Sequence, residues 1–497
     1  MNRWRVAFLV AGAVPVGAGP VLAQGYRLRL DTRLQTLSFR GAEADSIPAS
    51  EVVTQPDGSL LSPDGYAVRC SGAWCYFWRQ GPEVDAAPWV TSADFSVWGL
   101  GVEGLSVRGS TRAAVDLSEG DSFAGTEPSL QLLEGYVEYA RGSATVVAGR
   151  QIVTGRLGYL GFDGARGTFR ANSLGLEVSG FAGWSLARGS SVPWTSPSAN
   201  PLGEFRPAER LVTAGGSASW RSQAADLRVE YQREVDPQVD KLTAERVAIG
   251  AAVRPAARLT LSGGGDYNLA EGVWGSADAS LRYADRTMDV TVGARRYRPF
   301  FPLWTIWAAF SPVAWHSGWG MVQVTPIRSL RLRARGEAYA YEDAEAETPL
   351  THGEDEGWRF SWGATFLATG AITLDADYHA EFGPGASSRG WSASAAWRPH
   401  DRIGLTGYIS NLTRPLEYRF SDAEAWWYGV DASWDPLPDL RLGVGLTRYD
   451  EDRDRPDAGA LDWTQTRLTL RAAWFVNSGA DRWQLPPAVR TTPGNRL

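Results

Sequence analysis

The stretch Thr325–Tyr341, TPIRSLRLRARGEAYAY, decides the fold. A proline-containing turn opens it, and strict alternation follows. Leu330, Leu332, Ala334, Gly336, Ala338 and Ala340 fall on one side, and Arg331, Arg333, Arg335, Glu337, Tyr339 and Tyr341 on the other. Successive side chains of a β-strand point to opposite faces, so a period of two predicts a strand. One face is apolar and small, the other charged. A soluble sandwich buries its apolar faces against each other, whereas a transmembrane barrel turns the apolar face to lipid and the polar one to a wet lumen. Recurrence of the pattern along the chain separates the two.

It recurs. Tyr26–Leu37 alternates Tyr26, Leu28, Leu30, Thr32 and Leu34 with Arg27, Arg29, Asp31, Arg33 and Gln35. Paired segments follow, joined by short turns at Arg141-Gly142, Asn172-Ser173, Pro255-Ala256, Ala284-Asp285, Thr369-Gly370, Pro399-His400 and Pro436-Leu437. Gly, Pro, Asn and Asp supply the backbone angles that hairpins need. Longer polar loops alternate with these turns, and the segments number about 22, within a range of 18–24. About 20 residues per strand with its connection exceeds the ~9–11 needed to cross a bilayer. The predicted fold is all-β: a transmembrane antiparallel up-and-down β-barrel with short periplasmic turns and longer extracellular loops. Aromatic residues mark both rims. Tyr139, Trp220, Tyr283, Phe366, Trp397, Trp434 and Trp474 precede short turns, and Trp184, Trp358, Trp391, Trp426 and Phe382 lie at the opposite level. Rings that are apolar in body and polar at the edge favour the interface.

Composition agrees. Among 497 residues there are 55 glycines and 23 tryptophans, and 44% are hydrophobic. After the first two dozen positions no run is long enough for a transmembrane helix. The net charge of −7, without a dense basic patch, argues against nucleic acid as a partner. Arg3 and Arg5, the apolar Val6–Val16 and the small-residue site Val21-Leu22-Ala23 predict a signal peptide over 1–23. The barrel is expected over 24–475, with a long loop at 39–88 and a periplasmic tail at 476–497. Cys70 and Cys75, inside that loop, are expected to form a local disulfide in an oxidising compartment. The expected location is the cell outer membrane of a Gram-negative-type cell.

The segment Leu132–Phe181, LLEGYVEYARGSATVVAGRQIVTGRLGYLGFDGARGTFRANSLGLEVSGF, resembles the porin superfamily of Gram-negative outer membranes. The resemblance rests on a Tyr- and Glu-rich strand, on Gly149-Arg150-Gln151 closing a valine strand, and on Phe162-Asp163-Gly164-Ala165 opening a small-residue strand. It implies a barrel whose last strand ends on an aromatic. Here Trp474-Phe475 are followed by 22 residues, a departure from that pattern.

Catalytic constellations are missing from the sequence. His316, His352, His379 and His400 are scattered without metal spacing, and no phosphate-binding loop or serine elbow occurs. Gly120-Asp121-Ser122 lacks a histidine partner, so no enzyme activity, cofactor or metal is expected. Acidic clusters at Glu342–Glu356 and Asp450–Asp457 read as solvated loops, with cation-bridged lipopolysaccharide as the sharper reading. The uncharged stretch Phe300–Trp315 reads as strand tops or a loop folded into the lumen. Residues expected to line the pore are Arg27, Arg29, Arg33, Arg108, Arg112, Glu134, Glu138, Arg228, Glu230, Arg331, Arg333, Arg335, Glu337, Asp375 and Asp377. Mixed charges on neighbouring strands set a transverse field. The expected function is a porin-like channel for small polar solutes, with 39–88 as constriction. Because barrels of 22 strands are normally plugged, the alternative is a sleeve around a partner such as a periplasmic multihaem cytochrome. The other partners expected are outer-membrane lipid and lipopolysaccharide.

Overall fold

The structure is a computed structural model that describes residues 25–55, 60–118, 123, 126, 129–186, 211–237, 241–298, 300, 313–342, 355–383, 386–413, 423–453 and 462–478. The signal segment 1–23, Ser122 and half of the acidic loop residues lie outside the described residues.

Among the described residues, 22 antiparallel strands form one closed circuit, with Trp74–Ala86 and Pro88–Trp98 taken as one strand interrupted at Ala87. Each strand pairs with the next. The first, Gly25–Pro48, pairs with the last, Trp463–Asn477, from Arg27↔Asn477 to Thr36↔Leu468. Pairing of the first strand with the last removes the two edges that an open sheet of these strands would have. The opening stretch is divided between Trp315–Ile327 and Leu330–Tyr341, which meet at Arg328-Ser329.

Register settles which face is inside. Ala334 lies in a row with Val322 and Trp362, and Ala338 in a row with Gly318 and Trp358. On the other face Arg295 reaches Glu337 and Arg333 reaches Asp377, each across an intervening strand. Side chains two strands apart meet most readily on a concave surface, and the large exposed apolar side chains lie on the opposite face, so the charged face lines the lumen. The apolar face looks out. On it Tyr139, Trp220, Phe366, Trp397, Trp434 and Trp474 form the lower aromatic level and Trp184, Trp358 and Phe382 the upper one, all at least 36% exposed. At the upper level Trp391 and Trp426 pack edge to face at 5.7 Å. A closed barrel with an apolar outer belt satisfies every backbone group in hydrocarbon. Single-chain barrels of this kind belong to bacterial outer membranes, and this chain is an outer-membrane β-barrel.

Three expectations need correction. Residues 39–88 are largely strand, not loop. Gly25–Pro48 continues past its barrel neighbours and pairs with Trp74–Ala86 from Leu37↔Ala86 to Pro48↔Trp74, with a bulge between Arg40 and Ala42. The resulting hairpin carries a compact tip, in which Phe77 stacks on Tyr66 and Cys70 is disulfide-bonded to Cys75. Arg79 pairs with Glu43 and Asp45 inside the hairpin itself. The last strand runs beyond Phe475 to Asn477, and Ser478 N–H still bonds to the Tyr26 carbonyl. The strand expected over 164–171 begins at Gly158.

That last difference shapes the lumen. Ala144–Gly155 pairs with Gly158–Ala171 along its whole length, from Ala144↔Phe169 to Gly155↔Gly158. The neighbouring wall strands stop sooner: Leu130–Arg141 pairs no further than Gly135↔Arg150, and Leu176–Ser185 no further than Phe162↔Ser185. Above these rows the hairpin Gln151–Phe162 leaves the wall and bends inward. Gly149, Gly164 and Gly183 form one row on the inner side of the bend. Gly149 has φ 131°, and a Cβ there would lie 2.3 Å from the Gly135 carbonyl oxygen. A Cβ on Gly164 would lie 2.1 Å from the Ala182 oxygen. Gly149→Ala is expected to lower stability by about 1–3 kcal/mol, measured by urea unfolding in lipid, whereas Gly167→Ala, where a Cβ meets nothing within 4 Å, is expected to be neutral.

The periplasmic turns are held by local bonds. Asp285 accepts the backbone N–H of Thr287 and of Met288 at 2.8 and 2.9 Å and the Thr287 hydroxyl at 3.0 Å. Bonds to the charged form hold this carboxyl at about 2. A depressed acid contributes fully above its unfolded value of ~3.9 and loses that contribution as pH falls through its folded value. The Thr287 and Met288 amide shifts should therefore titrate with a midpoint near 2, and Asp285→Asn should abolish the titration.

Candidate functional site

The in-folded hairpin is the structural centre of the lumen. Its base is apolar: Val147, Leu160 and Phe162 are at most 5% exposed, and the Phe162 and Phe181 rings lie 5.1 Å apart. Each such side chain contributes about 1.5–3 kcal/mol by burial. Its tip, Arg156-Leu157, docks on wall strands well away in the circuit. Leu157 N–H bonds to Glu230 Oε2 at 3.3 Å, and its carbonyl accepts Arg246 Nη1 at 2.9 Å. Arg156 pairs with Asp278. The wall groups are braced in turn: Arg228 holds Glu230 at 2.5 Å, and Arg246 holds Asp266 at 2.9 Å. Phe300 lies under the Arg246 guanidinium at 4.4 Å, so the uncharged stretch 300–315 begins on the inner wall; residues 301–312 lie outside the described residues.

Beyond the tip the wall carries a continuous charge network. The Glu337 side chain is fully buried, and three guanidiniums converge on it: Arg295 at 2.5 Å, Arg359 at 3.0 Å and Arg335 at 3.1 Å. Ser317 donates to it at 2.8 Å. Arg359 also approaches Glu381 at 3.8 Å, and the Tyr339 hydroxyl donates to Glu381 at 3.0 Å. Arg333 bridges Asp375 at 2.9 Å and Asp377, and donates to Thr365 Oγ1 at 2.8 Å. Charge-assisted forks of this kind fix side-chain geometry.

The wall formed by the first and last strands differs. Arg33 is in register with Arg471, and Arg112 and Arg467 are also near enough to act on its charge. No carboxylate pairs with Arg33 among the described residues. Arg471 has Asp431 only at 4.0 Å, and Arg467 donates to Gln465. Toward the periplasmic mouth Arg27, Arg29 and Arg108 surround a hollow of about 320 Å³ shared with Glu134, Tyr136 and Phe475.

Register places Arg27, Arg29, Arg33, Arg108, Arg112, Glu134, Glu138, Arg228, Glu230, Arg331, Arg333, Arg335, Glu337, Asp375 and Asp377 on the inner face. The structure gathers them into separate groups: Arg228 and Glu230 beneath the hairpin tip, Arg333–Asp377 along one wall, and Arg33 with Arg112 on another. Sequence reasoning missed Arg156, Arg246, Asp266, Asp278, Arg295 and Arg359, which complete these groups. No local signal marked them, since short connections between Asn268 and Val273 and between Gly383 and Ala386 occur at the same end as Arg156-Leu157. Among the described residues no cluster with metal-ligand character occurs. Some ion pairs break the inside-polar rule: Arg448–Asp450 and Arg296–Glu342 lie on the outward parity, and so does Arg150–Asp163. Arg150 and Asp163 face outward in the row of Trp184, at the upper aromatic level, where an isolated arginine costs up to about 1 kcal/mol.

No protein-family model and no curated protein matches the chain. Among solved structures it is similar to the outer membrane protein OpdK of Pseudomonas aeruginosa, at 10% identity and TM-score 0.41, covering 91% of this chain and 99% of that one. A BenF-like porin from Pseudomonas fluorescens Pf-5 shows 9% identity and TM-score 0.40, with 91% and 98% covered. OccAB4 of Acinetobacter baumannii shows 7% identity and TM-score 0.40, with 92% and 100% covered.

Removing the charge at Glu337 leaves three arginines without their shared partner. Glu337→Gln is expected to cost about 2–3 kcal/mol in urea unfolding and to raise the chloride share of any ion current.

Proposed function

We propose that the chain is a passive outer-membrane channel for small polar solutes, with a preference for anions. The carrying observation is the hairpin Gln151–Phe162, docked inside the barrel through Leu157 and Arg156. An empty 22-stranded barrel is a wide hole; a hairpin held against the inner wall leaves a narrowed path. The in-folded hairpin takes the constricting role that the sequence suggested for 39–88. The anion preference is supported by Arg33, Arg467 and Arg471, where Asp431 approaches Arg471 only at 4.0 Å and Arg467 donates to the neutral Gln465. Steering by such a wall acts on the rate of entry and weakens with salt. Lipid and lipopolysaccharide contact the apolar belt in this reading, and no catalytic step is assigned. The cytochrome-sleeve reading gains no support from any observation, since residues of the chain itself occupy part of the lumen.

The test is planar-bilayer recording with the purified chain. Stable ohmic steps and a chloride-favouring reversal potential in a KCl gradient are expected, and Arg33→Ala combined with Arg471→Ala should reduce that preference. Absence of conductance would contradict the channel reading, and a cation-favouring potential would contradict the anion preference.

A further inference from the structure

We propose that Arg150 and Asp163 are the positioning residues of the in-folded hairpin, closing from outside the barrel the seam that its departure opens in the wall. The strand Leu130–Arg141 reaches up to Leu130 and Ala144–Gly155 up to Gly155, yet the two stop pairing at Gly135↔Arg150. Above that row residues 130–134 keep a partner on one side only, from Ser110↔Glu134 to Ala113↔Leu130. Their other edge faces the seam. Arg150 sits at its foot. Its Nε and Nη2 donate to the two oxygens of Asp163 at 2.8 and 3.0 Å, and its Nη1 donates to the Leu132 carbonyl, on the freed edge, at 2.9 Å. One guanidinium thus ties three consecutive strands together.

The location makes the role specific. Arg150 and Asp163 are register partners one row above the glycine row Gly149–Gly164–Gly183. The bend has no Cβ on its inner side and a two-pronged clamp on its outer side. Around the pair the outward neighbours are apolar: Val146 and Ala148 on one strand, Ala165 and Phe169 on the other, and Trp184 next in the row. A charge pair needed only for a wet lumen would face inward. Here the fork supplies the backbone partner that a departing strand withdraws, on the outer face at the upper aromatic level. Asp163 fixes the guanidinium plane, and the guanidinium fixes the angle at which the hairpin enters. The placement of the hairpin stands on this geometry alone; its consequence for permeation rests on the channel reading.

The test uses the full chain in lipid with the Cys70–Cys75 disulfide intact and a nitroxide on Tyr159→Cys, an exposed position of the hairpin. Asp163→Asn should increase the mobility of the nitroxide and raise single-channel conductance at least twofold. The reversed pair Arg150→Asp/Asp163→Arg should recover part of both. An unchanged nitroxide spectrum in Asp163→Asn, or a fall in melting temperature with no change in spectrum, would overturn the proposal. Should Asp163→Asn fail to fold, Arg150→Lys, which keeps the charge but not the fork, carries the same readings. If the wild-type barrel does not conduct, the channel reading fails while the nitroxide spectrum still decides the clamp.

Discussion

A bare peptide N–H or C=O in hydrocarbon costs several kcal/mol, and that constraint governs the whole chain. It is why the first strand must find the last, from Arg27↔Asn477 to Thr36↔Leu468. It is also why a hairpin cannot simply leave the wall. When Gln151–Phe162 turns inward, the strand ending at Leu130 loses a neighbour, and the Leu132 carbonyl takes its partner from Arg150 instead. An arginine on an apolar face, unfavourable alone, becomes favourable where it replaces a missing strand. Glycine at 149, 164 and 183 is the other half of that solution, since the backbones there approach too closely for a Cβ.

The same alternation that exposes one face to lipid collects the charges on the other. Curvature then brings side chains two strands apart into contact, so that Glu337 gathers Arg295, Arg335 and Arg359 and leaves solvent altogether. Charges that would be independent on a flat sheet become a network on a concave one. Networks of this kind stiffen the wall on which the hairpin tip lands, because Glu230, Arg246 and Asp278 must be held still to receive it.

The barrel was legible in the sequence because its rule is local. Alternation in Leu330–Tyr341 needs only two residues to be seen, and the inward direction of Arg333 or Glu337 follows by parity. The in-fold was not legible. Arg156 meets Asp278 at a separation of 122 residues, and nothing near either residue announces the contact. The segment 39–88 was misread for a different reason: the bulge at Arg40/Ala42 shifts the alternation, and Gly81-Pro82 looks like a breaker. Arg150 and Asp163 stood inside the quoted porin-like segment, but parity alone assigns them to lipid, and only the register shows why charges belong there.

The central claim is that the chain narrows its own lumen with the hairpin Gln151–Phe162. The most direct measurement is the polymer size cut-off of the conducting barrel, read from the block of current by poly(ethylene glycol)s of graded size. The native chain should exclude polymers that a barrel of this strand number would admit if empty. Replacing Ile152–Gly161 by a short glycine-containing turn should move the cut-off to larger polymers. An identical cut-off in the two proteins would contradict the account.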